Sequence, residues 1–426
     1  MAVKRKRKAA TEDDIIVGLD VGTTKICVIV ARVKDDKNID ILGIGKAPSF
    51  GLHRGIVVNP NKTTESIKAA LEEAELNSGV SINSVSVGIA GHYIRCIQSS
   101  STIGINNSDR IIQEEDIIRL LDQARIMKLP SDTTIIDVIP QEYIIDGKDG
   151  IFETPIGMFG IRLEAKVNII TGLVSSIDDL SKCVTSCGVD IDDIVLEPIA
   201  SSYSVLDETE KKVGVAMIDI GGGTSDIAVF KKGVLKYTAG IGIAGNLVTN
   251  DIIEALGISE AEAERIKKEY GYAMVSEILN DEEIIVETIR EIPKKTSKSI
   301  LARIIQARMQ DIFELSAIEI QNSQIAKELH AGVVITGGGS LTKGTKELAE
   351  DILGMEVNLG IPTGLTGGLI REVESPIFAT GVGLVLHRLK TMNDVNKISE
   401  ITKSRRKKAL TVSGIFKKVK EWFDEL

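Results

Sequence analysis

A glycine-rich turn between two apolar strands occurs twice in this chain, once near the start and once near the middle. Residues 16–25 read IVGLDVGTTK, and residues 217–226 read MIDIGGGTSD. In both, an apolar strand ends in an aspartate, glycine and threonine follow, and a second apolar strand leads away. Glycine permits the tight turn and lets backbone N–H groups approach an anion closely. Two such hairpins facing each other would hold a nucleotide's phosphates, and their aspartates would hold Mg²⁺ through its waters.

A third glycine-rich segment, residues 333–344, reads VVITGGGSLTKG. Its apolar strand ends in three glycines, which suits close approach of the backbone to a flat adenosine. Any one of the three segments is weak evidence, because a β-hairpin can contain adjacent glycines without binding a ligand. In this order they resemble the actin and sugar-kinase superfamily, over about residues 14–392. That resemblance implies an α/β, actin-like two-domain fold built on ribonuclease-H-like repeats, with ATP and Mg²⁺ as ligands.

Composition agrees with a soluble globular protein of two or more domains, with 426 residues, 43% hydrophobic and 26% charged. No apolar run approaches the roughly 18–20 residues of a membrane-spanning helix. The cysteines and histidines lack the spacing of metal ligands, so we expect reduced thiols and no metal site built from them. Those residues are Cys27, Cys96, Cys183, Cys187, His53, His92, His330 and His387.

Charge is distributed unevenly along the chain, whose net charge is −10. Residues 1–11 hold five positive charges and no negative ones, and residues 403–426 hold eight positive and three negative. The body between these ends is therefore acidic, which argues against nucleic-acid binding and leaves two basic ends suited to an anionic membrane surface. We expect residues 1–12 to form a basic, disordered, solvated tail, and a second contact with lipid is the alternative for it.

The last fourteen residues, 413–426, read SGIFKKVKEWFDEL. At 100° per residue the large apolar side chains share one face and the charged ones occupy the other. The segment follows a polar stretch, residues 393–412, that reads as a flexible linker. We expect an interfacial membrane helix, although docking on the protein's own core is the alternative. One copy would bind weakly, which predicts self-assembly and avidity. The expected membrane residues are Ile415, Phe416, Val419, Trp422, Phe423 and Leu426.

Three features extend the resemblance to the FtsA family of actin-like bacterial division proteins. They are an inserted α+β subdomain at 84–166, the sequence GIAGNLVTNDI at 242–252, and the tethered terminal helix. Ala244 departs from the glycine that the family more often has there, and we expect it to stiffen the loop near the γ-phosphate. The resemblance implies subdomain IA at 13–83, 167–211 and 376–392, IC at 84–166, IIA at 212–257 and 331–375, and IIB at 258–330.

The same resemblance implies a role for each motif residue. Asp20 and Asp219 would be linked to the metal through water and, with Glu197, would form the catalytic set, in which Glu197 orients the attacking water. Glu197 could instead interact with the dipole of a helix. Glu264 and Lys267 would contact the ribose and the base, but they could instead form an ordinary surface ion pair. The implied nucleotide-binding residues are Gly22, Thr23, Thr24, Lys25, Gly221, Gly222, Gly223, Thr224, Glu264, Lys267, Gly337, Gly338, Gly339, Ser340 and Lys343.

The function implied is that of an ATP-binding division protein with at most slow ATPase activity. It would polymerise head to tail on the cytoplasmic face of the cell membrane and anchor the FtsZ ring, binding the FtsZ C-terminal tail through subdomain IIB. A pilus-assembly scaffold of the PilM type and a small-molecule kinase of the same superfamily are the alternatives. The insertion does not suit an MreB-like protein, and a DnaK-type chaperone would need a β-rich C-terminal domain.

Overall fold

The computed structural model describes residues 15–35, 38–152, 154–290 and 293–393. The predicted basic tail, most of the predicted linker and the predicted membrane helix lie outside these residues. Strands β1 to β19, in chain order, are Ile15–Val21, Lys25–Asp35, Asn38–Pro48, Leu52–His53, Ile56–Val57, Ser84–Ile89, Arg95–Gly104, Thr133–Ile145, Lys148–Ile151, Arg162–Leu173, Asp190–Leu196, Val215–Ile220, Ser225–Lys231, Val234–Ile241, Glu283–Glu287, Pro293–Ser297, Val333–Thr336, Val357–Leu359 and Gly367–Gly368.

The helices surround these strands. Helix α1 begins at a proline, where a missing backbone N–H costs nothing, and Asn59 caps it by accepting from the amide of Lys62. Among the described residues, no helix is both long and apolar enough to cross a membrane. Helices α1 to α11 are Pro60–Ser78, Glu114–Arg125, Val174–Thr185, Glu197–Val205, Glu208–Val213, Gly245–Leu256, Glu260–Tyr270, Lys298–Asn322, Thr345–Leu353, Ile370–Val373 and 379–393.

Two large sheets repeat one design. The first has the order β11-β6-β1-β2-β3-β19, and the second has the order β14-β13-β12-β17-β18. In each, three consecutive strands form an antiparallel meander, and parallel strands extend the sheet beyond the first of them. Both faces of β1 and β12 are covered, which explains their unbroken apolar sequences. The predicted α/β class with two related domains is confirmed.

The insertion forms a separate four-stranded sheet, in the order β7-β10-β8-β9, with α2 packed across it. Its bounds differ from the predicted 84–166. Strand β6, which starts at residue 84, pairs in parallel with β1 and β11 and so belongs to the first large sheet. At the other end, β10 continues to pair with β7 and β8 beyond residue 166, in unbroken register with β7 and with a register shift against β8 between Lys166 and Val167. A long shared strand thus joins the insertion to the first domain.

The region 258–330 contains a β-hairpin that the sequence does not predict. Strands β15 and β16 pair between α7 and α8. The sequence EIIVE alternates exposed and buried positions, with Ile284 and Val286 buried. Two-residue periodicity over five residues is a weak signal beside two long charged helices, which is why it was missed.

Candidate functional site

A cavity of about 590 Å³ lies between the two large sheets, and the three glycine-rich loops line it. The first loop joins β1 to β2, the second joins β12 to β13, and the third follows β17. Antiparallel pairing fixes each hairpin so that its turn opens at the same edge of its sheet. Segments far apart in sequence therefore meet in one site, as the sequence reading expected.

The two hairpin turns face each other at close range. A Cβ atom added to Gly222 would lie 1.8 Å from Thr24 Oγ1, and one added to Gly223 would lie 2.4 Å from Thr23 Oγ1. Thr24 donates a hydrogen bond of 3.1 Å to the side-chain oxygen of Asn246, at the start of α6. A side chain at either glycine would collide with these threonines, so the second turn presents its backbone to the threonine side chains of the first.

Five carboxyl groups line the cavity, and four of them belong to Asp20, Glu197, Asp219 and Asp226. Burial raises the pKa of Asp20 and, together with the neighbouring carboxylates, raises that of Glu197 well above its ordinary value. Burial likewise raises the pKa of Asp219 to about 6 and that of Asp226 to about 7. Lys25 lies 3.9 Å from Asp20 and donates to the carbonyl of Ile377 at 2.5 Å. Negative charge exceeds positive charge here, which favours a cation.

The donor set suits magnesium. Carboxylate oxygens are hard ligands, and the cavity has room for the waters that Mg²⁺ retains. Asp20 and Asp219 end the first strand of the two repeated hairpins, so their positions correspond. The residues present therefore fit a hydrated divalent cation held from both domains.

Glu197 is the first residue of α4 and lines the cavity rather than the outer surface. Its side chain packs over Gly88, where an added Cβ would lie 2.9 Å from Glu197 Cγ. A helix N-terminus also stabilises a carboxylate, so this position satisfies both sequence-based interpretations.

Glu264 and Lys267 form an ion pair on α7, with 2.6 Å between Lys267 Nζ and Glu264 Oε2. Both residues line the cavity. Thr249 donates to Glu264 and accepts from Lys267, each at 2.7 Å, and Lys267 also donates to the carbonyl of Gly245 at 3.2 Å. Burial pushes the pKa of Glu264 up, but Lys267 and the hydrogen bonds outweigh it and hold that pKa below its ordinary value. The pair is thus built into the wall of the cavity, unlike an ordinary surface pair.

Ser340 is the predicted residue that does not line the cavity. Its hydroxyl is buried and donates to the carbonyl of Gly337 at 2.7 Å, which closes the turn. Gly337 has a φ of 80°, and an added Cβ there would lie 2.3 Å from Asp219 Oδ1. Lys343 does line the cavity, and its ammonium lies 5.3 Å from the ring centre of Tyr272. Ser340 therefore shapes the loop and does not face the ligand space.

Ala244 causes no backbone strain. Its φ of −162° is extended and open to any residue, and its side chain is buried before α6.

Sequence reasoning gave no role to Asn246, Asp226, Ser201 or Thr380. Asp226 was visible at the end of the second hairpin motif, where a second aspartate seven residues after the first was a usable signal. Ser201 and Thr380 lie in apolar helical sequence, and no local pattern marks them.

Two protein-family models match the chain. The model described as Cell division protein FtsA matches residues 216–383, and the model described as the SHS2 domain inserted in FtsA matches residues 91–171. The Cell division protein FtsA of Pseudomonas aeruginosa is 42% identical over 381 residues, which cover 89% of this chain and 90% of that protein.

Solved structures share the fold at lower identity. The PilM–PilN type IV pilus biogenesis complex is similar with a TM-score of 0.63 and 15% identity, covering 88% of this chain and 98% of that chain. MreB5 of Spiroplasma citri bound to ADP is similar with a TM-score of 0.54 and 15% identity, covering 92% and 99%. Identity this low shows a common fold and nothing further.

Proposed function

The chain belongs to the FtsA family of actin-like cell-division proteins, and from that premise we propose that it binds ATP, polymerises on the cytoplasmic face of the membrane and anchors the FtsZ ring. The family follows from 42% identity over most of both chains. The pilus-scaffold alternative is not favoured, because the likeness to PilM, at 15% identity, extends only to the fold.

One observation supports nucleotide binding above the others. Two opposed glycine turns and a third glycine loop line one acidic cavity of about 590 Å³. Backbone amides in such turns bind phosphate oxygens, and a cavity of this size accommodates a ligand of nucleotide size. The similar MreB5 structure holds ADP, which supports the same choice of ligand.

Magnesium, when bound, would neutralise phosphate charge and template the nucleotide. Asp20 and Asp219 would hold its water shell from opposite hairpins, and Lys25 would supply a further positive charge beside Asp20, 3.9 Å away. Glu197 would orient a water toward the terminal phosphate. Burial and the neighbouring carboxylates raise the pKa of Glu197. We propose at most slow ATPase activity, as the family resemblance implies.

The partners follow from the family rather than from the cavity. We propose that the FtsZ C-terminal tail binds the region 258–330, that copies of this chain associate head to tail, and that residues 413–426 bind anionic lipid at the division site. A labelled FtsZ tail peptide, titrated with the full chain and followed by fluorescence anisotropy, tests the first of these. An unchanged anisotropy at high protein concentration would contradict it.

Gly222→Ala tests the nucleotide site directly. The new Cβ would lie 1.8 Å from Thr24 Oγ1 and 3.2 Å from Asn246 Oδ1, so the phosphate turn must shift. We expect ATP affinity in the presence of Mg²⁺, measured by calorimetric titration, to fall at least about tenfold, or about 1.4 kcal/mol.

Gly104→Ala is the matched control, since its Cβ would meet only Asn106 Oδ1 at 3.5 Å, an ordinary contact in the insertion. That variant should bind ATP like the wild type, and both variants should keep a cooperative thermal transition. Equal ATP affinity in the wild type and Gly222→Ala would contradict the proposed site.

A further inference from the structure

The carboxylate of Asp219 accepts hydrogen bonds from two hydroxyl groups on other elements. Ser201 donates to Oδ2 at 2.7 Å, and Thr380 lies 3.4 Å from the same oxygen. The two hydroxyl oxygens lie 3.1 Å apart, and because each hydroxyl has one proton, both protons are used when both groups donate to Asp219. One oxygen of the carboxylate is thus held, and Oδ1 is left for other ligands.

These hydroxyls connect different parts of the molecule. Asp219 lies on β12 in the second large sheet, whereas α11, which carries Thr380, packs on the first sheet through Val382 and Val385. Helix α4, which carries Ser201, follows β11 of the first sheet and lies close against α11, where an added Cβ on Gly383 would be 1.9 Å from the carbonyl of Ala200. Helix α4 also packs on the second sheet through Ile199 and Val205. The orientation of the Asp219 carboxylate therefore depends on Thr380, which is anchored to the other domain, and on Ser201, whose helix lies between the two domains.

Burial makes this arrangement specific. Ser201 is fully buried, and Thr380 is 8% exposed. A buried hydroxyl without a partner costs about 1–3 kcal/mol, so each hydroxyl is strongly favoured in its present bond. Gly337, where a Cβ would lie 2.3 Å from Oδ1, leaves the other side of the carboxylate open.

We propose that Ser201 and Thr380 are positioning residues, which aim the Asp219 carboxylate at the divalent cation that accompanies the nucleotide. The inference rests on the proposed nucleotide site. Groups that orient a metal-binding carboxylate typically change metal affinity roughly 10-fold to 100-fold when removed. Removing Ser201 need not change the affinity for the nucleotide alone, because Ser201 lies outside the glycine-rich turns and, unlike Thr380, does not line the cavity.

A purely structural role makes a different prediction, and Ser204 separates the two. Ser204 is also buried on α4, and it donates to the carbonyl of Ala379 at 2.7 Å. It therefore joins the same two helices without touching Asp219. If Ser201 only held the helices together, Ser204→Ala and Ser201→Ala would have similar effects on every property.

The experiment uses the full chain and a fluorescent ATP analogue. The analogue is first titrated with the protein in the presence of EDTA, and the mixture of protein and analogue is then titrated with Mg²⁺. Ser201→Ala should weaken the apparent Mg²⁺ affinity by roughly 10-fold to 100-fold and leave the metal-free nucleotide affinity unchanged. Thr380→Val should cause a smaller loss, since its bond is longer, and Thr380→Ser should restore wild-type affinity. Ser204→Ala should match the wild type in Mg²⁺ affinity.

An unchanged Mg²⁺ affinity in Ser201→Ala, or an equal loss in Ser204→Ala, would overturn the inference and leave the proposed nucleotide site intact. A wild-type chain that binds the analogue under neither condition would instead contradict the proposed function, and the inference would fall with it.

Discussion

At the scale of single residues, the carboxyl groups of the proposed nucleotide cavity are buried away from the water that would stabilise their charge. Asp20, Asp219, Asp226 and Glu197 are buried together, with Lys25 as the cation nearest Asp20. Burying carboxylates in this way destabilises the folded chain unless a cation or a proton compensates them. Functional sites commonly hold such unfavourable groups, because the ligand supplies the missing charge.

The ligand-free chain should therefore be more stable at pH 5.5 than at pH 8. Burial raises the pKa of Asp226 to about 7, so the folded state binds a proton that the unfolded state has already released. The stabilisation by that proton is lost as the pH rises through about 7. Asp226→Asn should reduce this dependence without abolishing it, because Asp219 and Glu197 also have raised pKa values. It should raise the free energy of unfolding at pH 8, measured by urea denaturation in EDTA, by a few kcal/mol at most.

Asp122→Asn provides the control, because Asp122 is an exposed carboxylate paired only with Arg125 on the surface of α2. It should leave both the stability and its pH dependence nearly unchanged. If Asp226→Asn is instead less stable than the wild type at pH 8, Asp226 is held charged in the folded protein and the charge argument is wrong.

Some site residues could be predicted from local sequence, and others could not. Gly222 and Gly337 stand in short motifs whose chemistry is local, because a tight turn and close backbone contact require glycine. Ser201 and Thr380 reach Asp219 only through the packing of α4 against α11. Thr380 and Asp219 are 161 positions apart in the sequence. A contact of that range leaves no pattern in one sequence.

At the scale of elements, the β13–β14 hairpin connects the nucleotide cavity to the insertion. Its phosphate turn precedes Ser225 at the start of β13, and its far end lies against the four-stranded sheet. Asn168 on β10, fully buried, donates to the carbonyls of Leu235 and Lys236 at 2.9 and 3.1 Å. The ammonium of Lys232 lies 4.5 Å from the ring centre of Phe152. The β13–β14 hairpin thus extends from the cavity to the insertion.

Asn168→Ala should lower the free energy of unfolding by about 1–3 kcal/mol, because two buried carbonyls lose their donor. Asn168→Asp should be worse, since its oxygen would face those carbonyls and its charge would be buried. Chemical denaturation gives both values. Gln98→Ala is the control, as Gln98 lies opposite Asn168 in the register of β7 and β10 but is exposed. Equal stability of Asn168→Ala and Gln98→Ala would show that the hairpin contact contributes nothing.

Elements with a strong period were predictable, and elements defined by pairing were not. The helix expected at about 113–127 is α2, because its apolar residues follow the helical repeat and acidic residues fill its first turn. The β15–β16 hairpin depends on pairing between two short, highly charged strands, which no local preference specifies. The ends of the insertion differ from the prediction for the same reason, because the strands with which β6 and β10 pair decide which sheet each belongs to.

At the scale of the whole molecule, an acidic body is combined with basic ends. The two-sheet design was predictable because the glycine hairpin is repeated in the sequence, and a repeated motif implies a repeated domain. The position of the insertion against the second domain was not predictable, since it depends on contacts such as that of Asn168 with the β13–β14 hairpin.

Avidity links the nucleotide cavity to the membrane in the proposed function. A single short amphipathic helix binds lipid weakly, whereas several helices on one filament bind with an effective concentration set by their linkers. If ATP promotes assembly, ATP should therefore strengthen membrane binding.

The fluorescence of Trp422 on anionic liposomes, with and without Mg-ATP, tests this link most directly, because Trp422 is the only tryptophan in the chain. We expect a blue shift with co-sedimentation of the protein, both stronger with Mg-ATP. A chain that ends at Thr411 lacks Trp422, so it is tested by co-sedimentation alone, which should be lost. An unshifted spectrum and a protein that stays in the supernatant, with or without Mg-ATP, would contradict nucleotide-linked attachment to the membrane.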